Sequence, residues 1–92
     1  MAEAPRYRRN PAVTETEIDG QLFLVEPGTQ EVFYLDANGA ALWRLLAEPQ
    51  RLDDAAAVYG AAFPDTGMAT VRRDLDRALK DLLDRGLIQA LP

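Results

Sequence analysis

Carboxylates are the first side chains in this 92-residue chain whose type and spacing suggest chemistry. Glu15 and Glu17 stand two residues apart, so on a strand both would lie on one face, as an acid/base pair could. Catalysis by two carboxylates also needs a pocket that separates their pKa values and positions a substrate. The flanking threonines indicate an exposed strand instead, and we interpret both glutamates as solvated.

The remaining acidic pairs, Asp53-Asp54 and Asp74 with Asp76, do not have the spacing of a calcium loop. The chain contains no His, no Cys and no Ser. It therefore lacks the usual general base, the two common activated nucleophiles, and the nitrogen and sulfur ligands of zinc, haem and iron–sulfur sites. We expect a protein that is not an enzyme and that has no metal and no cofactor.

Cations cluster near the C-terminal end, between Val71 and Gly86. On a helix, the pairs Asp76–Lys80, Arg77–Asp81 and Asp81–Arg85 would be favourable at a spacing of four residues. Arg73 and Arg77 are instead like charges at this spacing, with Lys80 three residues further on. This stripe is either a solvated face or the site of an anionic partner, and the sequence leaves both open.

Charge is uneven along the chain. Residues 1–10 carry three arginines and one glutamate, whereas residues 11–92 carry seven basic and fourteen acidic groups. An acidic body argues against nucleic acid as a partner, because binding to the phosphate backbone needs a surplus of Lys and Arg. No apolar run approaches the 18 or so residues of a membrane span, so we expect a cytosolic protein without a membrane partner.

Three strands are predicted in the first half of the chain. Residues 12–18 alternate, Asp19-Gly20 is a hairpin signal, and Gln21–Val25 is apolar on both faces, as in a central strand. Pro27-Gly28 predicts a second turn, with Gly28 at positive φ, before the third strand at Glu31–Leu35. Residues 1–11 are predicted to be a flexible arm, and residues 12–92 a single domain.

Three helices follow in the sequence. The first is predicted to begin at Asp36 and end at Pro49, the second to be capped by Asp53 and closed by Pro64. The third is capped by Asp65 or Thr66 and ends at Gly86, before Leu87-Ile88 re-enters the core. A three-stranded antiparallel sheet followed by three helices predicts an α+β fold with the helices on one sheet face.

The third predicted strand lies at a sheet edge and is apolar or aromatic on both faces. Exposed edges present unpaired N–H and C=O groups to any extended segment, and only Glu31 and Asp36 could protect this one. We therefore expect a strand-accepting site or a homodimer contact at this edge.

Two segments resemble the PqqD family. Leu35-Asp36-Ala37-Asn38-Gly39-Ala40-Ala41-Leu42-Trp43 is similar to its Leu-Asn-x-x-Gly-x-x-Ile-Trp segment, and the leucine-rich third helix with Gly86-Leu87-Ile88 is similar to its closing helix and strand. The resemblance implies a winged-helix-like peptide-recognition domain, also called a RiPP recognition element, and not an enzyme. Such a domain captures the leader segment of a ribosomally made precursor peptide and presents it to a modifying enzyme, often a radical-SAM protein or another maturase.

The resemblance also implies where the leader binds: as a further strand beside the third strand, in a groove next to the third helix. The expected contacts are Glu31, Val32, Phe33, Tyr34 and Leu35 from the strand, and Val71, Arg73, Arg77 and Lys80 from the helix. Which face of the strand lines the groove stays open at this point.

Two other functions compete with leader binding. A winged-helix DNA-binding regulator would place Arg72, Arg73 and Arg77 in the major groove, although interleaved aspartates would then face phosphates. A non-catalytic subunit that homodimerises through the exposed edge strand is the other alternative.

Overall fold

A computed structural model describes residues 4–91 of the chain. Six strands and three helices follow one another in these residues, in the order β1 (Arg6–Arg9), β2 (Thr14–Ile18), β3 (Gln21–Val25), β4 (Val32–Leu35), α1 (Ala37–Leu45), β5 (Gln50–Arg51), α2 (Leu52–Ala62), α3 (Met68–Asp84) and β6 (Ile88–Leu91). They form two antiparallel three-stranded sheets packed with the helices, which confirms the predicted α+β class.

The larger sheet is the predicted meander, in the order β2-β3-β4. Asp19 and Gly20 both have positive φ (53° and 78°) and connect the paired residues Ile18 and Gln21, so the type I′ hairpin is confirmed. β3 is the central strand, and its Leu22 and Leu24 are buried. The sheet therefore packs the face of Leu22 and Leu24 onto the core, while the alternate residues Phe23 and Val25 are only partly buried on the other face.

The second hairpin turn differs from the prediction at Gly28. The positive φ (60°) belongs to Gln30, not to Gly28. Gln30 donates its N–H to the Glu26 carbonyl, and the Glu26 N–H is paired with the Glu31 carbonyl, so the chain forms a bulge before β4. The prediction was wrong because the carboxylate of Glu26 supports the loop directly, accepting hydrogen bonds from the N–H groups of Gly28 and Thr29 and from the Thr29 hydroxyl. These donors hold the pKa of Glu26 below its ordinary value.

The three helices form where their periodicity predicts them, and the starts of α2 and α3 are shifted. Asp36 caps α1 as predicted, accepting from the Gly39 N–H at 2.8 Å. Helix α2 begins at Leu52 because Arg51 is its N-cap residue and the Asp54 carboxylate accepts from the Arg51 N–H, so the prediction of Asp53 as the cap was wrong. Helix α3 begins after Gly67 (φ 88°) and not after Asp65 or Thr66.

One hydrophobic core joins both sheets to the helices. Its least exposed side chains come from all three helices, from β3, and from the start of β6 with the residue before it. They include Leu24, Trp43, Leu46, Ala55, Leu79 and Leu87. Helix α3 contributes one stripe of four leucine or valine side chains, and Gly86 at positive φ (74°) turns the chain so that Leu87 re-enters this core, as predicted.

The N-terminal arm is not frayed at residues 6–9. These residues form β1, the central strand of the smaller sheet β5-β1-β6, in register with residues 88–91. Arg9 anchors the strand: its Nε donates to the Trp43 carbonyl at 2.8 Å and its guanidinium lies 4.8 Å from the centre of the indole ring. The prediction failed because pairing with the distant residues 50–51 and 88–91, and not local sequence, orders this segment. Residues 1–3 lie outside the described part of the chain.

Glu15 is more than a solvated carboxylate. It pairs with Leu24 across the sheet and so lies on the core face, where it accepts a hydrogen bond from Trp43 Nε1 at 2.6 Å and lies 3.5 Å from Arg9 Nη1. Glu17 lies on the same face, 3.9 Å from Arg44. The sequence interpretation of Glu15 is therefore wrong, because this carboxylate satisfies a buried indole N–H.

No helix within residues 4–91 is both long enough and apolar enough to cross a membrane.

Candidate functional site

The outer side of β4 is an open sheet edge. Among the described residues, β4 pairs only with β3. The Glu26–Glu31 hydrogen bond fixes the alternation of the ladder, so Leu24–Phe33 and Leu22–Leu35 are the hydrogen-bonded pairs. The backbone N–H and C=O groups of Val32 and Tyr34 consequently point away from β3, toward the open side. β4 thus offers two donors and two acceptors, spaced as an incoming strand requires.

A groove runs between this edge and α3. Its volume is about 330 Å³, and its floor is mostly apolar. It is lined by Phe33, Tyr34, Leu35, Asp36, Gly39, Leu42, Ala78, Asp81, Leu82, Arg85 and Leu87. Phe33 and Leu35 are half-buried, whereas Val32 and Tyr34 are exposed on the opposite face of the sheet. The sequence did not decide which face of β4 lines the groove. In the structure it is the face of Phe33 and Leu35.

Arg85 lies at the mouth of the groove. Its guanidinium carbon is 5.2 Å from the centre of the Phe33 ring, and its Nε donates to both Asp81 carboxylate oxygens at 3.1 Å. These contacts hold a planar cation beside the open edge, with its Nη groups still able to donate. The groove therefore combines an apolar floor with one charged group at its rim.

A second cavity of about 480 Å³ continues from the groove along α3. The two share Asp36, Gly39, Leu42 and Ala78. The second cavity extends to Tyr59 and Phe63 of the α2 end and to Val71 and Leu75 of α3. Partial burial raises the pKa of the Tyr59 phenol, so Tyr59 stays a neutral hydrogen-bond donor at the cavity wall. Together the two adjoining cavities extend the concave surface along α3.

The strand residues expected from the sequence lie together at this site, with one difference at the start. Val32, Phe33, Tyr34 and Leu35 form β4 itself. Glu31 precedes the strand, and its carbonyl is paired with Glu26 inside the hairpin. Glu31 therefore does not present its carbonyl to the open edge.

The helix residues expected from the sequence are divided between two faces. Val71 is buried and lines the second cavity. Arg73, Arg77 and Lys80 line a separate shallow concavity with Asp76, Asp81 and Asp84, and none of the three lines the groove beside β4. Lys80 donates to Asp76 at 2.8 Å, and this partner raises the pKa of Lys80. The Arg77 side chain has no ion pair or hydrogen bond within residues 4–91. Contact of Arg73, Arg77 and Lys80 with a peptide remains a prediction.

Helical periodicity explains this division. The buried stripe of α3 consists of Val71, Leu75, Leu79 and Leu82. At 100° per residue, positions 73, 77 and 80 fall on the opposite side of the helix, while 74, 78, 81 and 85 flank the stripe on one side. The groove residues Ala78, Asp81 and Arg85, missed at the sequence level, lie on that flank. From periodicity alone, the groove residues of α3 could lie on either flank of the buried stripe. The position of β4 shows that they lie on the flank of Ala78, Asp81 and Arg85.

Comparisons with known proteins place this chain in a family. Residues 21–88 match the family model described as coenzyme PQQ synthesis protein D (PqqD). A solved structure described as TbiB1 in complex with the TbiA(beta) leader peptide is 30% identical, with a TM-score of 0.78 over 89% of this chain and 94% of that chain. A search of curated proteins gave no match. The matched segment contains β3, β4, the three helices and the groove between them, and the chain belongs to the PqqD family.

Proposed function

We propose that the chain binds the leader segment of a ribosomally synthesised precursor peptide as a fourth strand on β4 and presents it to a modifying enzyme of the radical-SAM class. The observation that carries the proposal is the open edge, where Val32 and Tyr34 direct their backbone groups outward beside an apolar groove. Membership of the PqqD family supports it, as does the similarity to TbiB1, which is described in complex with a leader peptide.

Strand addition explains how one small domain could hold a flexible peptide. Backbone hydrogen bonds to Val32 and Tyr34 fix the register of the added strand and do not depend on its sequence. Every second side chain of that strand then points into the groove toward Phe33 and Leu82, where large apolar groups lose the most water. Affinity thus comes from the backbone, and selectivity comes from alternate side chains.

A proline scan of the edge tests the proposal. The probes are synthetic peptides that cover the N-terminal halves of short reading frames beside the gene, with the TbiA(beta) leader as an additional probe. Tyr34→Pro removes an outward N–H without removing a hydrogen bond of the β3–β4 ladder, and Tyr34→Ala is its matched control for the lost ring. We expect calorimetry to show binding of at least one probe, weakened at least tenfold by Tyr34→Pro and at most threefold by Tyr34→Ala.

Val32→Pro and Val32→Ala repeat the comparison at the other outward residue, in case one proline variant does not fold. Circular dichroism of each variant checks the fold before binding is measured. Strand addition is excluded if the wild type binds none of the probes, or if a folded proline variant binds as tightly as its alanine control. Dimerisation through β4 is the competing result, and sedimentation of the wild type without peptide would reveal it.

A further inference from the structure

The outward face of the larger sheet carries no charge. Cross-strand pairing places eight side chains on the face away from the helices, in three rows across the sheet. They are Thr14, Val25 and Val32; Thr16, Phe23 and Tyr34; and Ile18 with Gln21. In a chain with 27% charged residues, these eight form an apolar and hydroxyl-rich surface without a single Asp, Glu, Lys or Arg.

This distribution is unusual for a solvated face, because none of the eight outward side chains is charged. An antiparallel sheet with one wet side usually places polar residues outward, charged ones among them, and apolar residues inward. In β2 the charged residues Glu15 and Glu17 instead face the core side, where Arg9 and Arg44 pair with them. Ile18 remains 53% exposed on the outer face, with Val32 at 63% and Tyr34 at 54%. Exposed apolar side chains that share one uncharged face make that face a candidate interaction surface.

The size of this face argues against a second copy as its occupant. Three strands about 4.8 Å apart and five residues long cover a footprint of roughly 14 × 17 Å, or about 240 Å². A stable interface buries about 800 Å² per partner. Two copies stacked on this face alone would therefore fall well short, whereas a larger partner that also contacts neighbouring surface would not.

The neighbouring surface is the proposed leader site. Val32 and Tyr34 belong to both, because their side chains lie on the outer face and their backbone groups line the open edge. A leader strand added to β4 would place every second side chain on the outer face, so the bound peptide would enlarge the uncharged surface by one strand. A partner seated there would touch the domain and the leader at once.

We infer that the modifying enzyme docks an uncharged apolar surface onto the outer face of β2, β3 and β4 together with the bound leader. The inference depends on the proposed function, since the leader forms part of the interface. Binding of enzyme and leader is then reciprocal: each strengthens the affinity of the domain for the other by the same factor. Because the face has no charge, enzyme affinity changes little with salt.

Ile18→Asp tests this inference, with Val58→Asp as its matched control. Ile18 lies in β2, two strands away from the leader edge, and Val58 on α2 is equally exposed at 51% beside a different apolar surface. The probes are the leader peptide that binds the wild type and the purified modifying enzyme encoded beside the gene. We expect Ile18→Asp to weaken enzyme binding at least tenfold with leader present, while leader affinity alone changes less than twofold. Val58→Asp changes neither.

Thr16→Lys provides a second variant with the opposite charge, and it should also weaken enzyme binding. If both charges weaken binding, the cause is the burial of a charge in the interface and not attraction or repulsion between charges. The inference is wrong if Ile18→Asp and Thr16→Lys leave enzyme binding unchanged, or if Val58→Asp abolishes it instead. It is also wrong if Ile18→Asp only converts a dimer into a monomer during sedimentation. If the wild type binds no leader, the proposed function fails first, so the two failures are distinguishable.

Discussion

The guanidinium of Arg85 lies over the ring of Phe33, 5.2 Å from its centre, and this contact joins the end of α3 to the open edge strand. The pair stands at the mouth of the groove, where Asp81 fixes the orientation of the arginine. Phe33 and Arg85 both line the groove beside the open edge of β4, where an added strand would lie. Arg85 is therefore the cation best placed to contact a bound leader.

We expect Arg85→Gln to weaken leader binding about tenfold, or about 1.4 kcal/mol, because it removes both the stacked cation and the charged donors. The free energy of unfolding should change by less than about 1 kcal/mol, since the Asp81 pair is exposed. Calorimetry with the bound leader peptide measures the first quantity and urea denaturation the second.

Arg77→Gln is the matched control on the opposite side of α3, and it should change leader affinity less than twofold. If Arg77→Gln weakens binding and Arg85→Gln does not, the leader contacts the outer cations Arg73, Arg77 and Lys80 instead of the groove. That result would locate the helix part of the site on the face that the sequence first suggested.

Arg9 should stabilise the fold, although it lies in a segment that the sequence suggests is disordered. Its hydrogen bond to the Trp43 carbonyl and its position over the indole are partly buried. We expect Arg9→Ala to lower the free energy of unfolding by roughly 1–2 kcal/mol. Arg8→Ala is the control: within residues 4–91 the Arg8 side chain has a single, exposed hydrogen bond, to the Gln89 side chain, and its loss should cost less than about 0.5 kcal/mol. Equal effects in denaturant titrations would mean that the Arg9–Trp43 contact contributes nothing specific.

Local sequence was sufficient for the elements that have their own signals. Asp19-Gly20 determines a two-residue turn, the leucine stripe determines α3, and Gly86 determines where it ends. β1 had no such signal, because Arg6-Tyr7-Arg8-Arg9 alternates no apolar residues and becomes a strand only against residues 88–91. In residues 6–9, pairing with a distant strand determines the structure, and local composition does not.

The candidate site also has one part that local sequence predicts and one part that depends on tertiary packing. The edge strand could be predicted, since Val32–Leu35 is apolar on both faces and follows a hairpin turn. The flank of α3 that faces β4 could not, because it depends on how the helix packs across the sheet and not on spacing within the helix. The role of Glu15 could not be predicted from local spacing either, since its partner Trp43 is 28 residues away and on another element.

The hairpin before β4 should lose support in acid. Glu26 accepts three hydrogen bonds from Gly28 and Thr29, which lower its pKa below the ordinary value of 4.5. A carboxylate with a lowered pKa in the folded state contributes stability above its unfolded pKa, and this contribution disappears as the pH falls through the folded pKa. Glu26→Gln should therefore have a lower Tm than the wild type at pH 7, and the difference should shrink as the pH falls below about 4. Because this turn positions Val32 at the start of the open edge, leader affinity of the wild type should weaken over the same acid range. A Tm difference that stays constant from pH 7 to pH 3 would show that the Glu26 carboxylate does not hold the turn.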